Sequence, residues 1–239
     1  TEYDSMSRPM PERLAVFDLF AGLDAAAMDD IAAAAVERRL DAGEMFFLQS
    51  ERAERFFVLV DGRVRLTQVT PDGQQVVVRF IMPGEGFGLV AVLAGNVYPL
   101  SAEAMDPAVG YGWDGPTFKT LMARHPELAT RSLSLVAQRV HEFQARNREL
   151  STERVERRIA RTLLRLTNQS GTRQSDGVRI DLPLTRQDVA EMTGTTVYTV
   201  SRVLAGWHEA GIIDAGRKRI VIRQPHSLVA IAEDLPPTR

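Results

Sequence analysis

Between Leu184 and Leu204 the chain reads LTRQDVAEMTGTTVYTVSRVL, and five side chains near its end could meet the edge of a base. The strongest of them is Arg202, whose guanidinium can donate two hydrogen bonds to O6 and N7 of guanine. Ser201 can reach a base or a phosphate, Thr196 carries a hydroxyl, and Val197 offers a methyl surface to thymine. Tyr198 reads as a phosphate contact, a ring laid against a sugar, or a plain surface residue. Thr185, Arg186 and Gln187 carry donors suited to backbone phosphates, where contacts set register without reading sequence. Arg217, Lys218 and Arg219 form a second basic cluster suited to phosphates.

These residues need a rigid frame, and the same segment supplies one. Its pattern is a helix, a three-residue turn and a second helix. Ala190 is small enough for the helices to cross closely, Gly194 suits a turn position with positive φ, and Val200 and Val203 face inward. Thr185 reads as an N-cap, with Asp188 three residues on as a near-match to a capping box. That spacing is a helix-turn-helix, whose second helix enters the major groove of double-stranded DNA. A hairpin follows, with strands at Gly211–Asp214 and Ile220–Ile222 and a turn near Gly216, so the basic cluster sits at the tip of a wing. Upstream lie a helix over Thr152–Asn168, with Ile159, Leu163, Leu164 and Leu166 on its buried side, then a polar loop over Gln169–Asp176 and an apolar run over Val178–Leu182.

The chain is expected to be helical from Pro116 to about Leu150, with the start of a long helix near His125-Pro126. Within it Ala129, Leu133, Val136, Val140, Phe143, Asn147 and Leu150 recur at alternating steps of four and three, a heptad seam that pairs two copies of the chain. Asn147 falls at an a position, where a buried Asn fixes a parallel two-stranded register. The alternative is a single amphipathic helix packed on its own domain. Before it, short apolar runs at Phe56–Val60, Val64–Val69 and Val76–Ile81 are separated by Gly and Asp turns, which indicates an antiparallel β sandwich or roll from Arg39 to about Trp113. Phe17–Val36 has helical spacing. The first residues, with Pro9 and Pro11, read as a loose arm.

The chain has 239 residues, 44% hydrophobic and 25% charged, the composition of a soluble protein with room for two domains. With no run approaching 18 apolar residues and no signal pattern, membrane insertion and secretion are not expected, and the chain reads as cytoplasmic. It has no cysteine, hence no disulfide and no cysteine-held iron–sulfur cluster. The net charge of −2 is uneven: from residue 151 onward 14 Lys and Arg face 10 Asp and Glu, a balance of +4, leaving −6 on the first 150 residues. A basic C-terminal part beside an acidic one suits a nucleic-acid module attached to a sensing or assembly module. No nucleophile constellation, metal-ligand spacing or phosphate loop appears, so an enzyme is not expected. Of the four histidines, His125, His141, His208 and His226, His141 reads as solvated and His125 as structural, and a haem ligand is not expected.

The order of parts resembles the cyclic-AMP receptor protein/FNR family of bacterial transcription regulators. The pieces that carry the likeness are Asp61-Gly62, Pro83-Gly84-Glu85, the strand Ser101-Ala102-Glu103-Ala104 and the segment from Leu184 to Ile222. The resemblance implies an α+β fold: a flexible arm over 1–14, an N-terminal antiparallel β-roll of the cyclic-nucleotide-binding type over 15–125, a long dimerisation helix over 126–150 and a C-terminal winged helix-turn-helix over 151–239. It further implies a homodimer on a palindromic promoter site that recruits or blocks RNA polymerase, as activator or repressor. Two departures stand out. Leu89 follows Gly88 where cyclic-nucleotide-binding members carry a ribose-binding Glu, and Leu100 precedes Ser101 where they carry a phosphate-binding Arg. Neither cyclic AMP nor an iron–sulfur cluster is therefore expected as cofactor, and another small-molecule effector stays open. In the recognition helix, Val197 stands where many members read guanine with Arg, and Tyr198 where Glu is common. The competing reading is an effector-binding or protein-interaction module whose winged helix does not bind DNA.

Overall fold

The computed structural model describes residues 10–235. The chain divides into two compact units, one extending to Glu142 and the other beginning at Phe143.

The first unit runs α1 (Met10–Leu14), α2 (Ala25–Ala33), β1 (Val36–Leu40), β2 (Met45–Phe47), β3 (Arg55–Asp61), β4 (Val64–Val69), β5 (Gln75–Ile81), β6 (Gly86–Phe87), α3 (Leu89–Ala94), β7 (Ser101–Ala104), β8 (Ala108–Asp114), α4 (Gly115–Arg124) and the start of α5 (Pro126–Thr152). Its strands form two antiparallel four-stranded sheets, ordered β1-β8-β3-β6 and β2-β7-β4-β5. The expected roll is thus present, and β3 and β8 are buried along most of their length, Phe56, Phe57, Tyr111 and Trp113 included. Phe56 stacks on Trp113, and the indole N–H of Trp113 donates to the Ile31 carbonyl at 2.9 Å, tying α2 to the roll. The Asp61-Gly62 turn needs its glycine: φ is +82°, and a Cβ would fall 2.5 Å from the Pro107 carbonyl.

Two expectations are refined here. Residues 1–9 of the expected arm lie outside the described residues, while Met10–Leu14 form α1, held down by fully buried Leu14. The helical stretch expected from Pro116 to about Leu150 is two helices, the second starting at Pro126. α4 starts at Asp114, whose carboxylate caps Thr117 N–H at 2.8 Å, and ends at His125, because Pro126 bars continuation. The border between the compact units falls inside α5.

Along α5 the seam positions stand largely open in the single chain: Leu133 is 71% exposed, Val140 49%, Phe143 72% and Leu150 42%. Asn147 is exposed and Ala129 and Val136 are half-buried.

The second unit continues with the end of α5, then α6 (Val155–Ser170), β9 (Gly171–Gln174), β10 (Gly177–Ile180), α7 (Arg186–Thr193), α8 (Val197–Glu209), β11 (Ile213–Gly216), β12 (Arg219–Ile222) and α9 (Pro225–Glu233). Its sheet is ordered β11-β12-β10-β9. The segment expected as a polar loop over Gln169–Asp176 is the end of α6 followed by β9. Its polar side chains suit an edge strand, and pairing with β10 from Gly171↔Ile180 to Gln174↔Gly177 supplies the order that composition does not signal. Of the four leucine and isoleucine positions assigned to α6, Ile159, Leu163 and Leu166 are buried and Leu164 is half-buried.

Candidate nucleic-acid interface

The first helix of the motif, α7, begins with a complete capping box. Thr185 Oγ1 accepts from Asp188 N–H at 3.1 Å, and Asp188 Oδ2 accepts from Thr185 N–H and from its hydroxyl, each at 2.7 Å. The Thr185 hydroxyl proton is therefore used within the chain, which leaves Arg186 and Gln187 as the exposed donors of this turn. Gln187 Nε2 donates to Glu191 Oε1 at 2.7 Å. Val189 and Ala190 are buried against α8, and Gly194 ends α7 in the left-handed region at φ +60°.

The second helix starts on Thr196, whose Oγ1 accepts from Thr199 N–H at 3.2 Å. Val200, Leu204 and Trp207 form its buried stripe, and Trp207 Nε1 donates to Glu156 Oε1 at 3.1 Å, so the helix is fixed in rotation. The opposite side carries the residues singled out from the sequence. Val197 is 38% exposed and Tyr198 77%, Arg202 is exposed and Ser201 is half-buried. With 3.6 residues per turn, Tyr198 and Arg202 lie one above the other, as do Val197 and Ser201. Among the described residues Arg202 makes no hydrogen bond or ion pair, so its donors face outward without an intrachain partner. The capped N-terminus of α8 adds partial positive charge where a phosphate would approach.

The wing is β11 and β12, and its tip is Arg217-Lys218. Lys218 sits at φ +56°, a left-handed conformation that a lysine adopts at some energetic cost. Arg217 and Lys218 are exposed and, among the described residues, without an intrachain hydrogen bond or ion pair. Arg219, by contrast, lies 3.6 Å from Asp214, which also faces Arg223 at 3.4 Å and His208 at 3.6 Å.

Sequence reading missed the guanidiniums that hold the motif in place. Arg146 of α5 donates to the Met192 carbonyl at 2.8 Å, and Arg158 of α6 donates to the Thr193 carbonyl at 2.9 Å and the Glu153 carbonyl at 2.7 Å. The last carbonyls of α7 have no partner inside the helix, so cations there satisfy both hydrogen bonding and the helix dipole. Arg146 is held below the usual arginine range, first by burial and then by the charge of Arg165, with Glu149 acting in the opposite sense. Glu149 in turn accepts from Arg165 at 2.7 Å and 3.0 Å. Leu150 closes the same end: a Cβ on Gly194 would lie 3.1 Å from its Cδ2. The only local hint was basic residues off the heptad seam, and partners 46 and 35 residues away lie beyond any spacing rule.

In the first unit, a cavity of about 380 Å³ lies between the roll and α5. Leu89 and Leu100 both line it, as does Arg139, whose Nη1 donates to Glu142 Oε2 at 2.7 Å.

A β-roll joined to a winged helix-turn-helix defines a DNA-binding transcription regulator, and comparison with known proteins agrees. Residues 37–125 match the cyclic nucleotide-binding domain model and residues 157–231 the Crp-like helix-turn-helix domain model. The transcriptional regulator LdrP of Thermus thermophilus is 31% identical over 186 residues, 77% of this chain and 91% of that protein. A solved CRP-family transcriptional regulator, also from Thermus thermophilus, is 28% identical with a TM-score of 0.69, covering 84% of this chain and all of that one. The CRP-like cAMP-activated global transcriptional regulator of Mycobacterium tuberculosis (strain CDC 1551 / Oshkosh) is 23% identical over 219 residues, 92% of this chain and 98% of that protein. The chain belongs to the CRP/FNR family of bacterial transcription regulators.

Proposed function

We propose that the protein is a homodimer that binds a palindromic promoter site, reads it with α8, and acts through binding rather than catalysis by recruiting or blocking RNA polymerase. The observation that carries this reading is the exposed face of α8, where Arg202 projects beside Tyr198, Val197 and Ser201 from a helix locked by buried Val200, Leu204 and Trp207. Exposed cations without an intrachain partner among the described residues, Arg202 on α8 and Arg217 and Lys218 at the wing tip, favour this reading over a module that does not bind DNA. The open seam of α5 supports pairing of two copies, with Asn147 facing Asn147.

The same regulator is proposed to work without cyclic AMP and without an iron–sulfur cluster. Leu89 and Leu100 line the cavity at the two positions where the resemblance would put the ribose-binding Glu and the phosphate-binding Arg. A phosphate buried without a cationic partner is strongly disfavoured.

Arg202→Ala tests the recognition role. Loss of its bidentate bonds is expected to cost about 1–3 kcal/mol on a selected duplex, with a much smaller loss on scrambled DNA. Fluorescence anisotropy on both duplexes decides, and equal loss on the two would make Arg202 a phosphate contact instead.

A further inference from the structure

We propose that the cavity of the first unit binds an uncharged, largely apolar small molecule as the effector of the regulator proposed above, a role that rests on that reading. Its volume of about 380 Å³ lies within the range of small-molecule sites, roughly 300–1,000 Å³. Phe87, Leu89, Ala91, Leu100, Leu135 and Val136 give it hydrocarbon walls. Tyr98 adds an aromatic one, its ring stacked on Phe47 with centroids 3.8 Å apart. Two further lining residues, Val90 and Val97, are 52% and 53% exposed, which is apolar surface that a ligand would cover.

The charge at the cavity decides the chemical class. Its cationic lining residue, Arg139, is bonded to Glu142, and neighbouring Arg79 pairs with Glu85 and lies 4.0 Å from Glu142. Two guanidiniums thus meet two carboxylates, and an entering anion would have to break an existing pair. Burial alone would raise the pKa of Glu142, but the hydrogen bond and charge of Arg139, with Arg79 behind it, hold it below the ordinary value, so Glu142 stays ionised near neutral pH and keeps the balance. The hydroxyl in the lining is engaged as well: Tyr98 Oη donates to the Arg55 carbonyl and accepts from Arg55 N–H at 3.0 Å. Asn96 is the exception: exposed, lining the cavity, and without a side-chain hydrogen bond among the described residues. One neutral amide in a hydrocarbon wall suits a ligand with a single polar, uncharged end.

Equilibrium titration of the full chain with N-phenyl-1-naphthylamine, a neutral apolar fluorophore, tests this directly. Saturable binding of one probe per chain is expected, with no displacement by cyclic AMP. Ala94→Trp places an indole in the cavity from an exposed position and should weaken probe binding roughly tenfold or more, while near-ultraviolet circular dichroism and thermal unfolding stay close to those of the parent chain. If Ala94→Trp fails to fold, Leu100→Arg, which introduces a charge into the same wall, is expected to give the same loss. Displacement by cyclic AMP, or probe binding indifferent to both substitutions, overturns the proposal. Retention of a selected DNA duplex is measured on the same preparations. DNA retention without probe uptake defeats the cavity proposal alone, and probe uptake without DNA retention defeats the regulator reading alone.

Discussion

Tyr198 and Arg202 stand one helical turn apart on an exposed face, yet what makes them useful lies behind them. A base-reading guanidinium has value only if its helix arrives at a fixed angle, and here half-buried cations brace the far end of α7. Arg146 and Arg158 take up the Met192 and Thr193 carbonyls just before the turn that launches α8. Arg146→Met keeps the aliphatic stem and removes the donors, leaving an unpaired carbonyl at an expected cost of about 1–3 kcal/mol in stability. As a positioning residue it should also change discrimination: the ratio of affinities for selected and scrambled duplexes should fall, the dimer should persist in sedimentation, and Arg146→Lys should restore part of the ratio. A loss of stability with the ratio intact would make Arg146 merely structural.

At the scale of elements, α5 has the clearest unmet need. Leu133, Val140, Phe143 and Leu150 expose apolar surface that a monomer gains nothing by presenting to water. Phe143→Glu puts two carboxylates opposite each other at a d position and forfeits a burial worth about 1.5–3 kcal/mol per side chain. Sedimentation velocity should show the dimer weakened at least tenfold while each chain stays folded; an unchanged dimer would mean that the seam is not the interface. Legibility in the sequence followed the range of the interactions. The motif was readable because Thr185, Asp188, Ala190 and Gly194 act on neighbours within a turn or two. The edge strand β9 was not, since its order comes from register with β10 rather than from its own residues. The start of the long helix was legible from Pro126, which bars continuation of the helix before it. The carbonyl caps supplied by Arg146 and Arg158 were unreadable, because no sequence pattern joins partners 46 and 35 residues apart.

In the whole molecule as proposed, two copies of one reading head are joined through a parallel seam, each beside a roll whose cavity is lined by Leu89 and Leu100. Each winged helix would then meet one half of an inverted repeat, with half-sites about one turn of DNA apart. The direct measurement is selection of bound duplexes by the purified full chain from a random library, followed by sequencing. The expected result is an inverted repeat whose half-sites lie ~10 bp apart centre to centre, with a recurrent guanine in each half that loses its enrichment in Arg202→Ala. A single unrepeated half-site, or no enriched sequence at all, would contradict the account.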